Sequence, residues 1–305
     1  MNAPAERRNF HGWLVFDKEV GQTSTAAVAA LKRFFRAKKV GHAGTLDPLA
    51  SGVLPIAFGE ATKTVSFVMD GRKTYRFKVR WGVETDTDDC DGRALSQSAV
   101  RPVLEATRAL LPRFTGRIEQ IPPRYSALKI AGERAYNLAR EGEDVALAPR
   151  PVEVHRLALV EIPDADHAVF ETECSKGTYV RALARDMGRA LGTLGHVCEL
   201  RRTQVGSFGE AEAVRFAALK ALAEEGDDLA SVLLPVESAL ATVPALQVSR
   251  ADAERLALGQ SVLLRGRDAP LLEGIVSVST HGFLVALAEI QQGALKPRRI
   301  FNLTR

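Results

Sequence analysis

Cysteine is nearly missing from this sequence. Its 305 residues hold three, Cys90, Cys174 and Cys198. They stand far apart, with no C-x-x-C and no histidine at ligand spacing, which argues against a zinc site. An odd, sparse count suits a reducing cytoplasm rather than a disulfide-stapled secreted fold. No apolar run approaches the roughly 20 residues of a membrane-spanning helix. The charged stretch Glu6-Arg7-Arg8 is followed by no apolar segment of a signal peptide. The expectation is a cytoplasmic protein with no metal and no membrane contact. Also absent are the phosphate loop G-x-x-x-x-G-K-[ST], the dinucleotide fingerprint G-x-G-x-x-G, the elbow G-x-S-x-G and the zinc-protease H-E-x-x-H. Internal repeats and low-complexity tracts are missing too. An excess of one charge is barely present, since the net value is +4. That balance is compatible with nucleic acid without demanding it.

What is there begins with length. A chain of this size, 46% hydrophobic, fits one large domain plus a small one. The positive charge is uneven: eight Lys/Arg fall in residues 1–40, and Lys296, Arg298, Arg299 and Arg305 crowd the last eleven positions with no acid. Such clusters suit an RNA groove or an ordinary solvated face.

Leu14-Val15-Phe16 reads as a short buried strand. Thr23 or Ser24 then caps a helix with an apolar stripe of Val28, Leu31 and Phe35. Residues 74–82 alternate, with Tyr75, Phe77, Val79 and Trp81 on one face and Arg76, Lys78 and Arg80 on the other, as in a half-buried strand. Asp86, Asp88, Asp89 and Asp91 follow in what reads as a polar turn; a calcium loop would need a bidentate Glu that is missing. A helix is expected over 98–111, strands over 116–123, 151–162, 167–175 and 196–208, and a helix over 179–191. That last helix sets Leu183, Met187 and Leu191 on one face and Arg181, Arg185 and Arg189 on another. Past a composition shift near Pro235–Pro244 come a short helix (250–258) and strands at 260–265, 273–279, 282–290 and 298–303. Strands outnumber helices and mix with them irregularly. The fold class is therefore α+β, a mixed, largely antiparallel sheet flanked by helices and loops, plus a small C-terminal β-barrel.

The chemistry concentrates in Gly41-His42-Ala43-Gly44-Thr45-Leu46-Asp47-Pro48-Leu49-Ala50-Ser51-Gly52-Val53-Leu54-Pro55. Three glycines and two prolines describe a tightly shaped loop around one carboxylate, Asp47. A carboxylate so held suits a nucleophile or an acid/base group. Asp-Pro is equally a helix start, with Asp at the N-cap and Pro at the first helical position. Gly41-His42-Ala43-Gly44 also fits the RNA-clamping G-x-x-G of KH domains, but without the surrounding helical pattern.

The whole segment resembles the G-H-x-G-x-L-D-P-x-A-x-G-x-L-P signature of the bacterial tRNA pseudouridine-55 synthases, the TruB family. The resemblance runs on, in order, through Asp17-Lys18 with Gly21 and Thr23-Ser24-Thr25, Lys73-Thr74-Tyr75, Tyr125-Ser126-Ala127-Leu128-Lys129, Lys176-Gly177-Thr178-Tyr179-Val180-Arg181 and Leu200-Arg201-Arg202-Thr203. It implies a catalytic domain over about 10–240 with an RNA-gripping insertion near 124–152, and a PUA-like RNA-binding domain over 245–305. It implies Asp47 as the catalytic aspartate, Arg181 as the bidentate partner that keeps it charged, and Tyr75 as the ring that stacks on the base. His42, Lys18, Lys63, Tyr179, Leu200 and Lys129 form the RNA- and substrate-contacting set it suggests. Breaking N1–C1′ and rejoining through C5 exchanges no electrons and no external group, so no cofactor is implied. The partner is the tRNA T-arm, its target base flipped out of the stack, and the enzyme is expected to act as a monomer. Two other readings stand beside this one. A non-catalytic RNA-folding factor on the same scaffold would not need Asp47, Tyr75 and Arg181 together. A nucleoside glycosidase would want a second carboxylate beside Asp47.

Overall fold

A computed structural model of the chain describes residues 7–126, 129–130, 133–134, 147–264 and 273–303. In chain order its strands are β1 (Gly12–Lys18), β2 (Val40–His42), β3 (Ser51–Phe58), β4 (Lys73–Trp81), β5 (Val83–Thr85), β6 (Ala94–Gln97), β7 (Gly116–Gln120), β8 (Lys129–Ile130) and β9 (Glu133–Arg134). They continue with β10 (Arg150–Asp164), β11 (His167–Cys174), β12 (Gly195–Val205), β13 (Phe208–Gly209), β14 (Ala245–Gln247), β15 (Val262–Leu263), β16 (Gly274–Thr280), β17 (Phe283–Gln291) and β18 (Ala294–Ile300). The described α-helices are α1 (Ser24–Phe34), α2 (Val65–Asp70), α3 (Leu104–Leu110), α4 (Val180–Ala190), α5 (Phe216–Glu224) and α6 (Arg250–Ala257).

The larger sheet runs β1-β3-β12-β4-β11-β10-β7, with β2 added to β3 and β13 to β12. Its ladders are antiparallel except β3 against β12, where Ser51 and Gly52 lie opposite Arg201 and Arg202. This is the mixed, largely antiparallel α+β sheet expected. Every residue of β1 is buried because both of its faces are covered, the condition that produces an unbroken apolar run. Leu14 and Phe16 enter one core with Leu31, Phe77 and Leu183; Trp13 and Val15 enter a second on the opposite face. The alternation of β4 is as read, with Phe77, Val79 and Trp81 buried and Arg76 and Arg80 exposed. Thr23 caps α1 by accepting the Ala26 N–H at 3.1 Å.

The smaller sheet, β14-β16-β17-β18-β15, curls about its own core of Leu256, Val276, Val278, Ile290 and Leu295. It is joined to the larger one by packing, for Leu284, Leu287 and Phe301 belong to the second core with Trp13, Val53 and Phe208. Polar ties reinforce that seam: the Asn302 N–H donates to Glu60 at 2.7 Å.

Several boundaries move. The helix expected over 98–111 begins only at Leu104, since Pro102 disfavours helical backbone at the residue before it. The last strand is Ala294–Ile300 rather than 298–303: Gln292 and Gly293, both at positive φ, make a tight hairpin turn, and Pro297 sits where the register with β17 shifts, a place that tolerates proline. The strand expected over 260–265 is only Val262–Leu263. Most of the expected insertion lies outside the described residues.

Candidate active site

No helix follows Asp47. The Ala50 N–H donates to the Asp47 carbonyl at 3.0 Å, closing a turn with Pro48 at its second position, where the fixed φ of proline is already correct. The helix-cap expectation is thereby corrected. Nor is the whole fifteen-residue segment a loop: Gly41-His42 ends β2, and Ser51 onward is strand β3. Gly52 is required where β3 passes β12, since a Cβ there would stand 2.2 Å from the Arg202 carbonyl oxygen and φ is +100°.

Residues 17–24 clamp this turn. Ser24 Oγ donates to the Leu46 carbonyl at 3.0 Å and accepts the Leu46 N–H at 2.9 Å, while the Gly21 N–H reaches the Pro48 carbonyl at 2.8 Å. Lys18 is fully buried and donates to the carbonyls of Glu19, Gln22 and Pro48 at 2.9, 2.7 and 3.4 Å. The RNA-contacting role expected of Lys18 is corrected: its ammonium is used up on backbone carbonyls around the turn. Burial brings its pKa down to about 8, opposed by the negative charge of Asp47. Asp17 receives Arg201 at 3.0 Å and Arg215 at 3.2 Å. Burial would raise that carboxyl, but the two guanidiniums prevail and hold it below its ordinary range.

Arg181 opens α4 and turns inward, its side chain only 5% exposed. Its Nε lies 2.9 Å from Asp47 Oδ2, with the Asp47 side chain 35% exposed. The Nε–H is not aligned for a hydrogen bond to that oxygen, so the contact is a close ion pair through one oxygen, not the bidentate fork expected. The rest of the guanidinium is committed elsewhere. Nη1 donates to the Thr87 carbonyl at 2.9 Å and lies 3.3 Å from Asp89; Nη2 donates to the Tyr125 carbonyl at 2.9 Å. One helical turn on, Arg185 pairs with Asp88 at 2.8 Å and donates to the Ile121 carbonyl at 2.7 Å. The arginine face of this helix is therefore internal at two of its three members; only Arg189 lies at the surface, paired with Glu84. Residues 86–91 do form the polar turn expected, but two of its aspartates, Asp88 and Asp89, are buried. Burial pushes Asp88 up to about 6 against the pull of Arg185 and Arg181, and raises Asp89 as well.

A third arginine, Arg202, was quoted in the sequence motif but given no role. It is 1% exposed and donates to the carbonyls of Val53 at 2.8 Å, Gly44 at 3.0 Å and Thr45 at 3.3 Å, gathering the backbone on both sides of Asp47. The second arginine of Leu200-Arg201-Arg202 was the signal that could have found it. Tyr75 lies against Arg202, and burial holds its phenol protonated, above its ordinary pKa. His42 has a buried Nδ1 with no partner among the described residues. Burial, helped by the charge of Arg202, lowers its pKa and favours the neutral imidazole.

Asp47, Arg181 and His42 line one cavity of ≈ 580 Å³ with Asp89, Tyr125 and Ser126. Leu200 lines a neighbouring cavity that shares Leu49 and Asp91 with it. Tyr179 exchanges two hydrogen bonds with the Gln120 amide, at 2.8 and 3.1 Å, and burial raises its phenol. Lys63 is away from the cavity: it pairs with Glu60 at 2.6 Å, donates to the Ile300 carbonyl at 2.7 Å and faces the Phe301 ring. The side chain of Lys129 lies outside the described residues.

Residues 32–180 match the family model described as TruB family pseudouridylate synthase (N terminal domain), and residues 181–241 match that of the tRNA pseudouridylate synthase B C-terminal domain. The tRNA pseudouridine synthase B of Bradyrhizobium diazoefficiens is 65% identical over 303 residues, covering 98% of this chain and 88% of its own. That of Agrobacterium fabrum is 52% identical over 301 residues, covering 97% and 96%. Among solved structures, a Cbf5-Nop10-Gar1 complex contains a chain that superposes with a TM-score of 0.75 at 25% identity, over 95% of this chain and 84% of that one.

Proposed function

This chain belongs to the TruB family of pseudouridylate synthases, isomerases of tRNA uridine, and from that premise we propose how its residues convert uridine 55 of the T-loop to pseudouridine. The observation that carries the assignment of roles is Asp47 Oδ2 at 2.9 Å from the buried Arg181 guanidinium in an open cavity. A nucleophilic carboxylate needs a fixed orientation and an open approach, and the close guanidinium ties one of its oxygens in place at the cavity wall.

The reaction detaches uracil at N1 from C1′, turns the base, and joins C5 to C1′. The C5 proton leaves and N1 takes one up, so the composition of the nucleotide is unchanged. Asp47 supplies the nucleophile. Tyr75 offers a flat, protonated phenol against which the flipped base stacks. His42, neutral, lies on the cavity wall where the departed nucleotide leaves a gap. Lys18 and Arg202 act on the loop: one closes the turn after Asp47, the other holds the backbone on both sides of it. Residues 10–240 form the catalytic unit. Residues 245–305 form an RNA-binding unit whose basic positions Lys296, Arg298 and Arg299 add to tRNA affinity. The enzyme acts on tRNA in the cytoplasm and by itself. No α-helix of the described residues is long and apolar enough to cross a membrane.

The test is a pseudouridine assay on an unmodified tRNA transcript, with Asp47→Asn beside the wild type. Product at one T-loop uridine with the wild type alone is expected. Tight binding without product from either protein would move the reading to an RNA-folding factor.

A further inference from the structure

Cys90 and Cys198 stand far apart in sequence and next to each other in space. Asp89 and Val197 form an isolated parallel bridge, held by the Val197 N–H on the Asp88 carbonyl at 3.1 Å and the Cys90 N–H on the Val197 carbonyl at 3.0 Å. The residues one step on, Cys90 and Cys198, therefore lie side by side. Neighbouring strands run about 4.8 Å apart, inside the Cα separation of about 4.4–6.8 Å that a disulfide needs. The Cys90 sulfur is 3.6 Å from the Cys198 carbonyl oxygen. Cys198 occupies a bulge in β12 against β4, between Val197 and Glu199, and its Sγ reaches the Lys78 carbonyl at 3.4 Å. That weak contact is given up by a rotation about χ1. Both cysteines line the cavity that adjoins the Asp47 cleft, and Cys90 is exposed to solvent.

We propose that Cys90 and Cys198 form a reversible intramolecular disulfide, made by exchange with a small disulfide such as oxidised glutathione. The Cys90 thiolate attacks one sulfur of the reagent, forming a mixed disulfide and expelling one thiolate. The Cys198 thiolate then attacks the Cys90 sulfur and expels the second. The two protein thiols lose two electrons and two protons, and the reagent leaves as two thiols. The bond ties the turn that carries Asp89 and the Thr87 carbonyl, both on Arg181, to the strand that carries Leu200 and Arg202. Partial burial with the nearby charges of Asp91 and Asp89 raises the Cys90 thiol, and burial raises Cys198 to about 11, so exchange is slow at neutral pH and quickens in alkali.

The test treats reduced full-length protein with oxidised glutathione at neutral and alkaline pH, blocks remaining thiols with iodoacetamide, and reads the intact mass and peptide map. Expected is a product two hydrogens lighter in which only Cys174, a core residue, is alkylated after unfolding. Dithiothreitol should reverse it, and the thermal midpoint should rise on oxidation. Cys198→Ser should stop at a single glutathione on Cys90, and Cys90→Ser should show neither the mass loss nor the rise in midpoint. Persistent alkylation of both residues at saturating reagent, or a glutathione on each, would overturn the proposal.

Discussion

Replacing Arg181 with lysine keeps the charge and removes the fork, which separates attraction from geometry. The guanidinium serves Asp47, Asp89 and the carbonyls of Thr87 and Tyr125 from three nitrogens; an ammonium has one nitrogen and cannot reach all four. Either carbonyl is part-buried on the cavity wall, so losing its donor costs near the low end of about 1–3 kcal/mol. Losing both therefore destabilises the fold by about 2 kcal/mol. If the ammonium moves toward the carbonyls, Asp47 loses its close cation. Removing one partner of a fully buried pair costs about 3–5 kcal/mol, and Asp47, one-third exposed, recovers part of that from solvent. A remaining loss of about 2–3 kcal/mol slows turnover by about 30- to 150-fold. Single-turnover pseudouridine formation at saturating enzyme measures the rate, and thermal melting measures the fold. A rate constant within about threefold of wild type, with an unchanged melting midpoint, would refute the reasoning.

Asp47→Asn should abolish turnover while leaving tRNA affinity, read by filter binding, nearly intact. Phe301→Ala opens the core shared by the two sheets, and a buried phenylalanine truncated there costs about 3–5 kcal/mol; the same seam means that removing residues from 245 onward should lower thermal stability as well as tRNA affinity. Asp88, faced by Arg185, Arg181 and Asp186, has a pKa of about 6 in the fold against 3.8 for the free side chain. The folded state therefore binds the extra proton between those values, and the contribution of Asp88 to stability falls as pH rises from about 4 to about 6 and is flat above. The stability advantage of wild type over Asp88→Asn, read by denaturant unfolding, should accordingly grow as pH falls through that window; a difference independent of pH would count against the shift.

The strand alternation of β4 and a helix cap at Thr23 or Ser24 were legible because each is a local pattern with one physical meaning. The motif around Asp47 had two local readings, and the turn closed by Ala50 on Asp47 excludes the helix start. The burial of Asp88 was not legible. Four aspartates in six residues look like an exposed polar turn, and the arginine that donates to Asp88 comes 97 positions later. Lys18 differs: its place in the RNA-contacting set came from the family resemblance alone, and only the fold shows three carbonyls converging on its ammonium. Arg202 and Arg181 are alike in sequence, each an arginine inside a short motif. Arg202 lies behind the loop because β12 pairs in parallel with β3 there, a long-range contact that no local pattern encodes.

The shared core also sets an order for folding during synthesis. Trp13 and Val15 leave the ribosome long before Leu284, Leu287 and Phe301, which help to cover them. Until those have been made, the core that Trp13 and Val15 share with Phe208, Val236 and Leu240 stays unfinished, and the nascent chain carries apolar surface at that seam. Such surfaces recruit chaperones or seed aggregates. Slow translation of the region between residues 241 and 301, or its premature truncation, should therefore be felt first as insolubility of the catalytic sheet.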